Sequence, residues 1–139
     1  MTQIRIRKAA ALLNVSDDTV RRWIDQGRLA YTLDPSGRMV VNGADLAQLA
    51  QERAERRRSS HTEEDSDRDF TSARNQFEGL VTRVVSDTVM SSVELQCGLY
   101  RVMALISTEA VEQLGLKPGT LAVARVKATN VIVDRLDPQ

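Results

Sequence analysis

The 139-residue chain holds one cysteine, Cys97, and one histidine, His61. With a single thiol no disulfide can close within the chain, and a zinc site built from Cys and His lacks its ligands, so no metal cation is expected. No activated nucleophile, acid/base pair or phosphate-binding glycine loop can be traced, which argues against an enzyme. No apolar run reaches membrane-spanning length, and residues 2–8 do not lead into the apolar core of a signal peptide. A cytoplasmic protein without membrane contact is expected. Net charge is missing too, because 19 Lys and Arg offset 19 Asp and Glu.

That balance is uneven along the chain. Residues 1–60 carry 11 Lys/Arg against 7 Asp/Glu, a balance of +4; residues 61–71 carry 1 against 5, a balance of −4; residues 72–139 carry 7 of each. A basic head, an acidic connector and a neutral tail suggest two domains of about 50 to 70 residues, with any nucleic-acid contact in the head. Domains of that size bury little core, so association into oligomers is expected.

In the head, Ile4 and Ile6 alternate with Arg5 and Arg7, which predicts a short extended segment. From Lys8 the pattern turns helical, with Ala9, Leu12 and Leu13 on one face until Asn14 and Val15 interrupt it. Ser16 is a good N-cap for a second helix, and Asp17 and Asp18 fall in its first turn, where the helix dipole favours acids. Val20, Trp23 and Ile24 share its inner face at i, i+3 and i+4. Thr19, Arg21 and Arg22 are left outward, and Gly27 stops the helix. From spacing alone two readings stay open: a helix-turn-helix whose second helix enters a major groove, or a helical hairpin with a solvated Arg pair. Residues 29–33, the turn chemistry of 34–37 and the apolar run 39–41 then read as a β-hairpin or wing, which favours the first. A third helix starts at Asn42 or Gly43 with Leu46 and Leu49 inward.

Residues 4 to about 52 resemble the winged helix-turn-helix of MerR and excisionase-like DNA-binding proteins. The likeness rests on Lys8-Ala9-Ala10-Ala11-Leu12-Leu13-Asn14-Val15-Ser16, then Thr19-Val20-Arg21-Arg22-Trp23-Ile24 with Gly27-Arg28-Leu29. It implies core roles for Val20 and Trp23 and double-stranded DNA as the partner of Ser16, Thr19, Arg21 and Arg22. The wing departs from the pattern, because many relatives carry several basic residues there and this turn offers Arg38 alone. With so few cations one head should bind weakly and lose affinity in salt, so useful binding calls for linked heads.

Residues 53–70 have linker composition, rich in Ser, Glu, Asp and Arg. Arg56, Arg57 and Arg58 read either as a phosphate contact or as a frayed, solvated helix end. The acidic cluster from Glu63 to Asp69 could pair with them or repel DNA.

Residues 71–75, Thr-Ser-Ala-Arg-Asn, change the character of the chain and open a β-rich tail. The Ser72 hydroxyl, the Arg74 guanidinium and the neighbouring N–H groups are donors that an acceptor-rich ligand could use together. A second cationic stretch, Lys127-Ala128-Thr129, lies near the other end of the same domain. The alternative is that Arg74 and Lys127 simply end strands and meet carboxylates. Strands are predicted over 80–85, 91–95, 100–106, 120–126 and 130–136, with a short helix over 109–114, which together suggest a small closed barrel of the OB type.

Residues 71–136 resemble the molybdate-binding TOBE domain of the molbindin (Mop) family. The matching blocks are Ser72-Ala73-Arg74-Asn75-Gln76, the run from Ile106 through Ser107 and Gly115 to Gly119, and Lys127-Ala128-Thr129-Asn130-Val131. The resemblance implies a barrel that pairs by exchanging strands and holds oxyanions between subunits. It implies contacts from Ser72, Ala73, Arg74 and Asn75, from Lys127 and Ala128, and from the Ser107 hydroxyl. Ala110 stands where relatives often place a serine donor. Molybdate or tungstate, a tetrahedral dianion, matches one Arg and one Lys in charge, with hydroxyls and amides filling the remaining directions.

The whole is then an α+β two-domain chain: a winged helix-turn-helix over 1–52, a charged flexible linker over 53–70 and an OB-like TOBE/Mop barrel over 71–139. A molybdate-responsive DNA-binding regulator, homo-oligomeric through residues 71–139, is expected. A molybdate store or an oligomeric architectural DNA-binding protein are the other readings.

Overall fold

The computed structural model describes residues 2–59 and 71–136. It divides into two units, each with its own apolar core.

The first unit runs β1 (Gln3–Arg5), α1 (Ile6–Leu13), α2 (Asp17–Asp25), β2 (Thr32–Leu33), β3 (Met39–Asn42) and α3 (Gly43–Ser59). Ile6, expected to prolong the extended segment, instead opens α1 and is buried. The buried side of α1 passes through Ile6, Ala9, Ala10 and Leu13, at i, i+3, i+4 and i+7. Leu12 lies off that stripe and is 50% exposed, contrary to expectation. Asn14 ends the helix in the left-handed region at φ 53°, a conformation Asn tolerates better than most side chains, and the Val15 N–H then reaches the Ala10 carbonyl at 3.0 Å.

Val20, Trp23 and Ile24 are buried as their spacing requires, and Gly27 (φ 74°) lets the Arg28 N–H return to the Trp23 carbonyl at 2.9 Å. The predicted strand over 29–33 shrinks to Thr32–Leu33, because Leu29 is drawn into the core. β3 lies between β1 and β2 in a three-stranded antiparallel sheet, so the wing is present. The Asn42 Oδ1 accepts from the Ala44 N–H at 2.8 Å and starts α3.

Helix α3 then continues through Ser59, so residues 53–59, read as the start of a flexible linker, are helical. Ala, Glu and Arg favour helix, and the cations of its last turn suit the helix dipole. A tertiary contact adds to this: the Arg53 guanidinium carbon sits 4.9 Å from the centre of the Trp23 ring. The rest of the expected linker, 60–70, lies outside the described residues.

The second unit runs β4 (Asn75–Ser86), β5 (Met90–Cys97), β6 (Tyr100–Ser107), α4 (Thr108–Leu114) and β7 (Leu121–Val126). Its strands form one antiparallel sheet in the order β6-β5-β4-β7, curled in the OB-like manner, around Val81, Val93, Leu95, Cys97 and Val111. The register between β4 and β5 slips between Val81 and Arg83, and such a bulge bends a strand and raises its twist. Closure expected of a barrel is absent within the described chain, which leaves β6 and β7 as sheet edges.

The strand predicted over 130–136 does not form. A single 3-10 turn at Ala128–Asn130 sends the Asn130 N–H to the Lys127 carbonyl at 2.9 Å and turns the chain out of the ladder. Ile132, Val133 and Leu136 follow at 87%, 88% and 82% exposure.

At Gly79 the space toward β5 leaves no room for a side chain. A Cβ there would collide with the Gln96 carbonyl oxygen and lie 2.7 Å from the Cys97 sulfur. Because the first obstacle is backbone, the strands would have to separate. Gly79→Ala is expected to destabilise the second unit by about 1–3 kcal/mol. Urea denaturation followed by far-UV circular dichroism checks this, and an unchanged midpoint would contradict it.

Candidate functional site

Turning Val20, Trp23 and Ile24 inward forces the opposite side of α2 into solvent, and Arg21 and Arg22 are both exposed there. Ser16 and Thr19 are joined to each other: the Ser16 Oγ accepts from the Thr19 N–H at 3.2 Å, and the two hydroxyls lie 2.9 Å apart. They fix the start of the helix, and one hydroxyl proton of the pair remains available outward.

Arg38 is exposed on the wing, but its backbone serves the turn. The Asp34 carboxylate accepts the N–H groups of Ser36 at 2.8 Å and Arg38 at 2.9 Å, and its other oxygen lies 3.7 Å from Arg5. These contacts, the Arg38 N–H foremost, hold the Asp34 carboxyl below its ordinary range. One head cation, Arg5, is thereby engaged at the wing, a pairing across 29 residues for which the sequence carries no local signal.

Arg53 also escaped sequence reasoning. Burial pushes its affinity for the proton down, and Arg57 and Arg28 add like-charge repulsion. The Arg28 guanidinium carbon stands 5.9 Å from the centre of the Trp23 ring, so two cations gather about one aromatic ring. A signal existed: Leu46, Leu49, Ala50, Arg53 and Ala54 continue one helical stripe past the point where apolar residues cease.

In the second unit β7 pairs with β4 so that Asn75 faces Val126. The Asn75 side-chain amide also donates to the Val126 carbonyl at 3.2 Å, closing the end of this ladder. Arg74 and Lys127 therefore leave adjacent strands at the same end. Thr71 shapes the approach: its hydroxyl accepts the Ala73 N–H and its carbonyl the Arg74 guanidinium, both at 3.2 Å. Ser72, Arg74, Lys127 and Ala128 are exposed, and Ala73 is partly buried. The structure thus gathers Ser72, Ala73, Arg74, Asn75, Lys127 and Ala128 at one corner.

Ser107 is elsewhere. It pairs with Met90, and Ser91 pairs with Ser86, so Ser107 belongs to the far end of β4. Eleven residue steps separate Asn75 from Ser86, roughly 35 Å of strand contour. There the Ser107 Oγ caps α4 by accepting the Ala110 N–H at 3.1 Å, which leaves its own proton free to donate.

Beside it lies a hydroxyl chain that the sequence reading missed. The Thr108 Oγ1 donates to the Asp87 carbonyl at 2.8 Å and lies 2.8 Å from the Ser91 Oγ, which donates to the Ser86 Oγ at 2.7 Å. Ser91 is 1% exposed. Small hydroxyls recurring in β-type runs are the only trace of this chain in the sequence. Among the described residues no group of three or more His, Cys, Asp or Glu is placed to hold a metal ion.

Comparison with known proteins finds a TOBE domain over residues 71–133 and a helix-turn-helix domain over residues 4–54. A 63-residue stretch is 40% identical to molybdenum-pterin-binding protein 3 of Clostridium pasteurianum, covering 45% of this chain and 93% of that one. Protein 2 of the same organism is 38% identical over the same shares. Among solved structures, a molybdate-binding protein from Sporomusa ovata is 34% identical over 47% of this chain and 97% of its own, with a TM-score of 0.46. The cytoplasmic molybdate-binding protein ModG, solved with molybdate bound, is 40% identical over 45% of each chain, with a TM-score of 0.44.

The end of the second unit that carries Ser107 holds a carboxylate whose pKa lies below its ordinary value. The Asp87 carboxylate accepts from Met90 at 2.7 Å and Val89 at 2.8 Å, which holds it below its ordinary value of about 3.9. A depressed carboxylate stabilises the fold above its unfolded value and ceases to do so as pH falls through its folded value. Thermal melts between about pH 6 and pH 2 should show wild type losing stability below about pH 4. Asp87→Asn should start less stable at neutral pH and lose less over that window.

Proposed function

We propose that this chain, which belongs through residues 71–133 to the TOBE-domain family of the molybdenum-pterin-binding proteins and carries a helix-turn-helix domain ahead of it, is a molybdate-responsive DNA-binding regulator. One observation carries the reading: Arg74 and Lys127, distant in sequence, emerge together at the Asn75–Val126 end of a domain 40% identical to a molybdenum-pterin-binding protein. A tetrahedral dianion, molybdate or tungstate, is matched there by two cations. The Ser72 hydroxyl and the amides at Ala73 and Ala128 supply neutral donors, with Asn75 holding the corner. No metal cation takes part, and the work is binding rather than catalysis.

Within one chain Ser107 stays at the other end of β4, so its free proton reaches the same anion only from a second subunit. Residues 71–139 form that contact. Val131, Ile132, Val133 and Leu136 are exposed outside the strands, and Met103, Leu105, Leu121 and Val123 add apolar surface on the two edge strands. Burying such surface against a second copy is favourable by about 25 cal/mol per Å².

In the head, Arg21 and Arg22 enter the major groove from α2, Ser16 and Thr19 set the start of that helix against the DNA, and Arg38 approaches the backbone from the wing. Anion binding between subunits favours one assembly, and linkage carries that preference to DNA as avidity among heads. A cytoplasmic setting suits both ligands.

A second reading is a molybdate store. It is favoured by the observation that 63 residues already cover 93% of molybdenum-pterin-binding protein 3, which leaves no room there for a comparable head.

Calorimetric titration of the full chain with molybdate in excess sulfate should give tight binding at a fixed ratio to subunits. Arg74→Met with Lys127→Met should abolish it, and absence of heat up to millimolar molybdate in wild type would defeat the anion reading. DNA affinity measured with and without molybdate separates regulator from store, since a store leaves it unchanged. Arg22→Ala should weaken operator binding by about 1–3 kcal/mol and relax preference at one base pair. Equal loss on all sequences would make Arg22 a phosphate contact instead.

A further inference from the structure

The exposed side of α2 carries a carboxylate that DNA binding by arginines does not use. Asp18 and Arg22, four residues apart, stand on one stripe directly opposite Val20, Trp23 and Ile24. Both are exposed, and among the described residues neither side chain forms a hydrogen bond or an ion pair, although the spacing permits one. The carboxylate and the guanidinium therefore both face whatever α2 meets.

We infer that Asp18 is a base-reading residue of this recognition helix that selects cytosine, next to a guanine read by Arg22. The inference rests on the DNA-binding reading above and deepens it. A recognition helix contacts base edges with its N-terminal residues, which places Asp18 in the first turn closer to the groove floor than Asp25 in the last. An ionised carboxylate only accepts hydrogen bonds. In the major groove cytosine offers its N4 amino group; guanine and thymine present acceptors that repel a carboxylate, and adenine sets an acceptor beside its amino group. Arg22, which only donates, complements guanine O6 and N7. Four helical residues rise about 6 Å, so the pair addresses bases within one or two steps of each other.

A carboxylate in the groove also repels phosphate, and it lowers affinity for every sequence that lacks the cytosine. The wing offers Arg38 as its one cation, and against so little phosphate attraction there that penalty sharpens discrimination. Stabilising the helix terminus is a role Asp17 in the same turn already fills, and Asp17 lies off the Asp18–Arg22 stripe.

The test is selection from a random duplex pool with the full chain, wild type against Asp18→Asn, Asp18→Ala and, as control, Asp17→Asn. Each variant is checked by circular dichroism and thermal melting. Wild type should prefer cytosine at one position by about tenfold to a hundredfold. Asp18→Asn should move that preference toward adenine, whose N6 and N7 suit an amide, and Asp18→Ala should erase it. Asp17→Asn should leave every position as in wild type. Unchanged preferences in both Asp18 variants, with affinity shifted equally on all sequences, would overturn the inference and leave DNA binding standing. A wild-type chain that enriches no sequence overturns both.

Discussion

A small dianion needs several donors converging from different directions, and one strand end cannot supply them. The antiparallel pairing of β4 with β7 brings two such ends together across 51 residues, and the Asn75 amide bond to the Val126 carbonyl fixes where the ladder stops. Arg74 and Lys127 then emerge side by side, and Thr71 shapes the backbone before them. The same topology sends Ser107 to the opposite end of β4. In the function proposed, a full donor set therefore exists only between subunits. Anion binding and association become one linked equilibrium, in which each stabilises the other.

In the head the organising contact is burial of Trp23. Once Val20, Trp23 and Ile24 face inward, the 100° step of the helix leaves Asp18 and Arg22 facing out. The Trp23 ring also meets Arg53 of α3 and Arg28, which follows α2. Arg53 lies there despite desolvation and two like charges, so packing of its stem and the ring face outweigh the repulsion. At the wing Asp34 takes up Arg5. In the function proposed, a wing with Arg38 as its one cation and with Arg5 held by Asp34 suits weak single-site binding, made effective by number and by direct base contacts.

These two economies fit each other. In the function proposed, a sensor domain complete only as an oligomer would deliver heads in sets, and heads that bind weakly alone would make occupancy depend on the set. Helix α3 reaches Ser59, so residues 53–59 belong to the helix of the head.

The sequence by itself determined whatever depends on neighbours along the chain: the N-cap at Ser16, the inner face of α2, the turn over 34–37, the four paired strands and the short helix over 109–114. These follow from local hydrogen bonding and from apolar periods of 3.6 and 2, which need no knowledge of the remote chain. Tertiary structure decided the rest. Ile6 and Leu29 joined the core because neighbouring elements left space for them, and Leu12 stayed outside because Ile6 had rotated the helical stripe past it. Residues 130–136 have strand composition, but a strand exists only where a partner edge meets it, and the turn at Ala128–Asn130 carries them away from β7. That Arg74 and Lys127 share a corner while Ser107 does not is a matter of register across the sheet, set by pairing energies that no single strand contains.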